Sequence, residues 1–294
     1  MSTGEILKLM DLAAASSAIM HIGHGRLNTL AFDHLESVTP IFHGDLIHVD
    51  SRVVHVGRST VAVHCVGRKK DLISRGWIHT HEGLVVYVAL GHDGRPEPAP
   101  ELICETANEQ RFREMVIRRL ELGKQYAKEQ LAITPDWKPE AAADTAAARK
   151  HKELIDVEDT LLRWATRSKP TAPQHSDLGG RAGARALTPP RARRRVRKIF
   201  MPRNLNALGT IFGGDLLEWM EAAAVTCARH FLRNPDAVSV AMDRVFFHSP
   251  IRPDQLADLS AHVVAVGKHT VQARGARFPI YIYIHTYIHT YIHR

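Results

Sequence analysis

The sequence has little that could staple it, anchor it or hold a metal. Its three cysteines, Cys65, Cys104 and Cys227, make no C-x-x-C pair and no even set. That excludes a disulfide framework and fits reduced thiols in a reducing compartment. No apolar run reaches the roughly 18 residues of a membrane-spanning helix, so no span is expected. Glu5, Lys8 and Asp11 interrupt the N-terminus where a secretory signal would be apolar. The chain is therefore expected in the cytoplasm, or in mitochondria if a leading segment precedes it. No Gly-x-Ser-x-Gly, P-loop or zinc-ligand spacing occurs, so no metal and no cofactor are expected.

Charge is uneven rather than scarce. The formal net charge is +8 over 294 residues. Arg181, Arg185, Arg191, Arg193, Arg194, Arg195, Arg197 and Lys198 supply the excess, and elsewhere the charges nearly balance. The run reads as a solvated linker in preference to a nucleic-acid patch, so nucleic acid is not an expected partner.

What the chain does have is a repeat. A shift of 210 positions lays Gly4–Ala18 on Gly214–Ala228 without a gap. The same shift pairs Asp33 with Asp243, Pro40 and Ile41 with Pro250 and Ile251, Val53 and Val54 with Val263 and Val264, and Thr60 and Val61 with Thr270 and Val271. Two copies of this length are not a solenoid. They imply two domains of one fold packed as a pseudo-dimer, with any interfacial site built from two non-identical halves.

Helical spacing of Ile6, Leu9, Met10, Ala13, Ala14 and Ala18 predicts a helix over 4–21. Alternating or β-branched runs predict strands at 27–32, 46–56, 61–66 and 84–90, with a hairpin turn at Gly57–Ser59. Residues 107–131 read as a charged helix, 149–166 as another, and Pro170–Pro190 as a disordered linker. The second copy reads as a strand at 196–201, a loop at 202–209, a helix at 214–231, and strands at 237–247, 256–266 and 270–276. The resulting domains are 1–105, a first unit without the strand that precedes its helix; 106–192, charged helix and basic linker; 193–278, a second unit without its last strand; and 279–294, a low-complexity tail. In that tail Tyr-Ile-His-Thr recurs, which is what a TACA repeat encodes in any frame. The tail is expected to pack poorly. His285, His289 and His293 are four apart, but a metal tract is the weaker reading.

Chemistry concentrates at Asn204–His230, where a loop with Asn206 and Gly209 runs into Gly213 and Gly214 at the start of a helix. A helix N-terminus offers unpaired N–H groups and the positive end of a dipole, which suits a carbonyl oxygen gaining charge. Two turns on lies Glu221, whose counterpart is Asp11. Read alone, Asp11 could be a structural acid, Asn206 a turn residue, and the two glycines a packing device.

Asn206, Gly209, Gly213, Gly214, Met220-Glu221 and Arg229-His230 together resemble the tandem hotdog-fold acyl-CoA thioesterases of cytosolic type. Leu9-Met10-Asp11, Gly44-Asp45 and Leu84–Pro100 of the first copy fit the same pattern. The resemblance implies an α+β chain of two hotdog units, each an antiparallel sheet wrapped around a long helix. It implies hydrolysis of fatty acyl-CoA by general-base activation of water at the interface of the units. Asp11 and Asn206 would be catalytic, Gly213 and Gly214 would hold the thioester carbonyl, and Glu221 would mark a degenerate second site without its loop. Acyl-CoA would be the partner, and the assembly a homo-oligomer, a trimer of double hotdogs. The alternative is an inactive hotdog-derived binding or scaffold protein, or a truncated gene product.

Overall fold

Helix α1 (Thr3–Ile22) starts where Ser2 and Glu5 cap each other. Glu5 Oε2 accepts from the Ser2 N–H at 2.6 Å, and Ser2 Oγ accepts from the Glu5 N–H at 3.2 Å. It ends at Gly23, whose φ of 88° is the left-handed conformation that a residue without Cβ adopts readily. Ile6, Leu7, Met10, Ala14 and Ala18 form its buried stripe. Residues 210 positions later do the same for α3 (Gly213–Leu232), which buries Leu216, Leu217, Met220, Ala224 and Ala228.

The computed structural model describes residues 2–37, 39–133, 193–242, 244–247, 250–266, 270–278 and 284–289. The helix expected at 149–166 and the Pro-rich linker lie outside the described residues. Two compact units are distinguished, one of Met1–Ile117 with Ala186–Arg294 and one of Arg118–Arg185. Both repeats belong to the first. The charged helix α2 (Ala107–Ile133) is capped by Thr106, whose Oγ1 accepts from the Glu109 N–H at 3.2 Å.

The first repeat contributes β1 (Leu27–Ser37), β2 (Ile47–Val56), β3 (Thr60–Lys70) and β4 (Trp77–Ala89). The second contributes β5 (Arg193–Ile199), β6 (Val238–Met242), β7 (Val245–Phe246), β8 (Leu256–Val266), β9 (Thr270–Phe278) and β10 (Ile284–His289). Among the described residues they form one antiparallel sheet in the order β2-β3-β4-β1-β6-β10-β9-β8-β5, with β7 also pairing β1. β1 joins the halves, Leu35 opposite Met242 and Ala31 opposite Phe246. Arg244 forms an ion pair with Asp33 at this seam. α1 and α3 pack against each other and against the sheet, and one core cluster runs through both repeats.

Three differences from the sequence reading matter. β4 starts at Trp77 rather than Leu84, because His79, Thr80, His81 and Glu82 hide its periodicity although Thr80 and His81 are buried. The basic run becomes an edge strand from Arg193 onward, where Asp258 on β8 pairs with Arg195 and Arg197. Most important, the tail does not stay out of the fold. Ile284–His289 is β10, inserted between β6 and β9 in the place β4 takes between β1 and β3. Tyr, Ile and Thr are good strand formers, and two ladder edges await a partner there. Among the described residues β2, by contrast, pairs with β3 alone, whereas its counterpart β8 also has β5.

Removing residues 279–294 therefore opens the sheet at β6 and β9. The truncated chain should melt several degrees lower than the full chain and aggregate through the freed edges. A thermal melt and light scattering check this; an unchanged midpoint would restore the reading of a tail that packs poorly.

Candidate active site

The site exists because α1 and α3 cross at their first turns with almost nothing between them. A Cβ on Gly4 would lie 3.0 Å from Glu218 Cα, and one on Gly214 would lie 3.0 Å from Lys8 Cα. Lys8 and Glu218 are themselves counterparts under the repeat. Backbone meets backbone on both sides of a pseudo-twofold axis, which glycine permits. Each helix thereby presents its N-terminus to a carboxylate on the other. The Gly214 N–H donates to Asp11, and the Gly4 N–H donates to Glu221.

Asp11 is fully buried, at 0% exposure. Tyr87 Oη donates to its Oδ1 at 2.7 Å and to its main-chain oxygen at 2.8 Å. Thr29 Oγ1 lies 3.4 Å from each carboxylate oxygen. Register explains the company: Thr29 on β1 stands opposite Tyr87 on β4. Burial raises the Asp11 pKa to about 6, against the opposing pull of Tyr87, Gly214 and Thr29; the charge of Asp215 adds to the rise. Gly213 is equally constrained. A Cβ there would lie 2.6 Å from Thr29 Oγ1 and 3.0 Å from Asp11 Oδ2. The N-cap residue Phe212 has no side-chain acceptor for the first turn of α3, and Asp11 takes that part.

The Asn206 loop reaches the same place from the second repeat. It folds on itself through Gly209, whose φ is 70°. Asn206 Oδ1 accepts from the N–H groups of Leu208 at 2.9 Å and Thr210 at 3.1 Å. Its Nδ2 donates to Thr210 Oγ1 and to Asn28 Oδ1, both at 2.9 Å. Asn28 precedes Thr29, so the loop docks on β1 beside the residue that touches Asp11. Both N–H groups of the Asn206 amide are engaged, and the residue shapes the loop that delivers Gly213.

Glu221 is a partial copy of this arrangement. It is buried, Ser239 Oγ donates to it, and burial raises its pKa. Ser239 is the counterpart of Thr29, as Gly4 is of Gly214. What differs is the rest: Thr3 stands for Gly213, and β10 puts Ile288 opposite Ser239 where β4 puts Tyr87 opposite Thr29. Lys8 bonds Asp215 at 2.5 Å and Glu218 at 3.2 Å, clamping the crossing from its half-exposed side. The Asp215 hydrogen bond raises the Lys8 pKa most.

Sequence reading thus singled out Asp11, Asn206, Gly213, Gly214 and Glu221, and the structure gathers the first four around one helix terminus. It missed Asn28, Thr29 and Tyr87. The 210-residue shift from Thr29 to Ser239 was a usable signal; Tyr87 had none, because its placement depends on strand register. Among the described residues no cluster of His, Cys, Asp and Glu could hold a metal ion. Nor is any described helix long and apolar enough to cross a membrane.

The Thioesterase superfamily pattern matches the chain in two segments, residues 1–74 and 208–276. An uncharacterized acyl-CoA thioester hydrolase of Zymomonas mobilis is 38% identical over 78 residues, 26% of this chain and 51% of that protein. The match thus spans about half the length of that relative. The acyl-CoA thioester hydrolase YciA of Salmonella typhimurium is 28% identical over 100 residues, 33% of this chain and 74% of YciA. The solved tesB protein of Mycobacterium avium subs paratuberculosis aligns with a TM-score of 0.50 and 10% identity, over 98% of this chain and 86% of that one. At that identity the likeness is one of fold, and it runs through both repeats. The Thioesterase superfamily pattern thus falls on both repeats, and the fold they share is that of hotdog units.

Proposed function

We propose that the chain hydrolyses fatty acyl-CoA to free fatty acid and CoA at the composite site of Asp11, the Asn206 loop and the α3 N-terminus. One observation carries the proposal: a buried carboxylate with a pKa of about 6 held against a helix N-terminus. The curated relatives named for acyl-CoA thioester hydrolysis support it.

A thioester carbonyl is electrophilic enough to need no covalent nucleophile, so a base and an oxyanion site suffice. At neutral pH a group with a pKa near 6 is mostly ionised, yet more basic than an ordinary carboxylate. Asp11 takes a proton as water attacks the carbonyl carbon. The Gly213 N–H and the positive end of the α3 dipole steady the oxygen that becomes negative, while the Gly214 N–H holds Asp11. The C–S bond then breaks, and the proton on Asp11 passes to the departing thiolate of CoA. Thr29, in reach of both carboxylate oxygens, orients the water. Glu221 serves as a cap for α1, its carboxylate accepting from the Gly4 N–H.

The complete burial of Asp11 is the one observation favouring a non-catalytic hotdog-derived binding protein. A panel of acyl-CoA substrates separates the two, since that reading requires no turnover by the wild-type chain.

Asp11→Asn should lower hydrolysis by about 10²-fold or more, the scale of a lost general base. Asn206→Ala should reduce kcat by loosening the loop, while Glu221→Gln should leave kcat/KM within about twofold. An inactive Glu221→Gln beside an active Asp11→Asn would invert the assignment.

Stability supplies an independent check. The folded-state pKa of Asp11 lies above its unfolded value, so the folded chain binds more protons between about pH 4 and pH 6. Its contribution is fully present below the unfolded pKa and is lost as pH rises through about 6, by about 3 kcal/mol. Relative to wild type, Asp11→Asn should therefore gain stability from pH 4 to pH 8. Denaturant midpoints at both pH values read this out; a pH-independent difference would show that the charge is not strained.

A further inference from the structure

We propose that Tyr87 is a positioning residue for Asp11, fixing which carboxylate oxygen is spent inside the protein and which faces the α3 N-terminus, and setting the basicity of the pair. This rests on the assignment of Asp11 as the base.

Of the side chains that donate to Asp11, Tyr87 is the one that distinguishes its oxygens, beside the Gly214 N–H that reaches the carboxylate from α3. Thr29 stands at 3.4 Å from both Oδ1 and Oδ2 and does not distinguish them. Tyr87 does, because its hydroxyl lies 2.7 Å from Oδ1. The same proton is shared with the Asp11 main-chain oxygen at 2.8 Å, which ties the hydroxyl to the backbone of α1 and not only to a side chain that could rotate. Oδ2 is then the oxygen on the Gly213 side, 3.0 Å from where a Cβ on that residue would sit. That is the side on which the N–H groups of α3 would hold a carbonyl.

The duplicated half of the molecule is the internal control. Glu221 has the equivalents of Thr29 and Gly214, namely Ser239 and Gly4. Opposite Ser239, however, stands Ile288, which has no side-chain donor.

Other groups face Asp11 without selecting an oxygen. From β3, Cys65 donates to Met10 O at 3.6 Å, and burial keeps its thiol neutral, with a pKa pushed up to about 12. From α3, Asp215 raises the Asp11 pKa through its charge and is itself paired with Lys8 of α1. Tyr87 stays protonated, its own pKa driven well above the usual value by burial, and so remains a donor. Its hydrogen bond favours the ionised carboxylate and is the largest influence opposing burial.

The test is Tyr87→Phe in the full chain, with Asp11 titrated by carboxyl ¹³C NMR in the absence of substrate. The midpoint should rise by about one pH unit, the scale of a lost hydrogen bond to a charged group. The acid limb of kcat/KM against pH should move with it. The rate should then fall by about fivefold at pH 6 and recover by about pH 8.5. A purely structural role would lower the rate alike at every pH. In case the phenylalanine variant does not fold, 3-fluorotyrosine at position 87 keeps the ring and gives a stronger donor, so the midpoint should fall. An unmoved Asp11 midpoint in the variant that folds overturns the proposal. Because the titration needs no turnover, a wild-type chain inert to acyl-CoA would count against the hydrolase reading instead.

Discussion

The crossing of α1 and α3 at Gly4 and Gly214 is the constraint on which the rest depends. Each glycine stands where a Cβ would press on the backbone of the other helix. Larger side chains at either position would part the helices and withdraw each N-terminus from the carboxylate facing it. A buried carboxylate loses its hydration, and a helix N-terminus with its unpaired N–H groups is one of the few protein features that partly replaces it. The compensation is incomplete, as the raised pKa values of Asp11 and Glu221 show. Incomplete compensation is what leaves Asp11 basic near neutrality. Closer packing would make it an ordinary ionised cap, and looser packing would leave it hydrated.

The cap occurs twice in the chain, once in each repeat, with different surroundings. Around Asp11 the second repeat adds a loop locked by Asn206 and a glycine at 213, and the first adds a tyrosine from β4. Around Glu221 the matching positions hold Thr3 and Ile288. Glu221 still satisfies a terminal N–H of α1, which is reason enough for a buried acid there. The two halves thus share a common plan and differ in what surrounds the carboxylate.

The sheet makes the two helices one body. β1 pairs with β4 of its own repeat and with β6 and β7 of the other, and one core cluster runs through both repeats. β10 continues this logic at the far side, where a segment of unselective composition is recruited because the ladder edges of β6 and β9 demand hydrogen bonds. Main-chain pairing asks only for strand-forming residues without interruption, which Tyr-Ile-His-Thr supplies.

Much of this was legible in the sequence. The 210-residue shift revealed two copies of one fold, the helical stripes located α1 and α3, and the Asn-to-Gly-Gly run located the loop and the helix terminus. Those are local patterns, and local chemistry writes them. Asp11 and Glu221 were also visible as counterparts. Three things needed the tertiary structure. Tyr87 and Thr29 meet Asp11 only through the register of β1 on β4, which pairs residues 58 positions apart. The engagement of the Asn206 amide depends on Asn28, a residue of the other repeat. The place of the tail depends on edges that exist only once β6 and β9 have formed. The sequence by itself determined which groups the chain carries and on which elements. Which of them face one another, and at what cost in hydration, was decided by the packing of two helices and one sheet, because a pKa and a hydrogen bond are properties of neighbours that are distant along the chain.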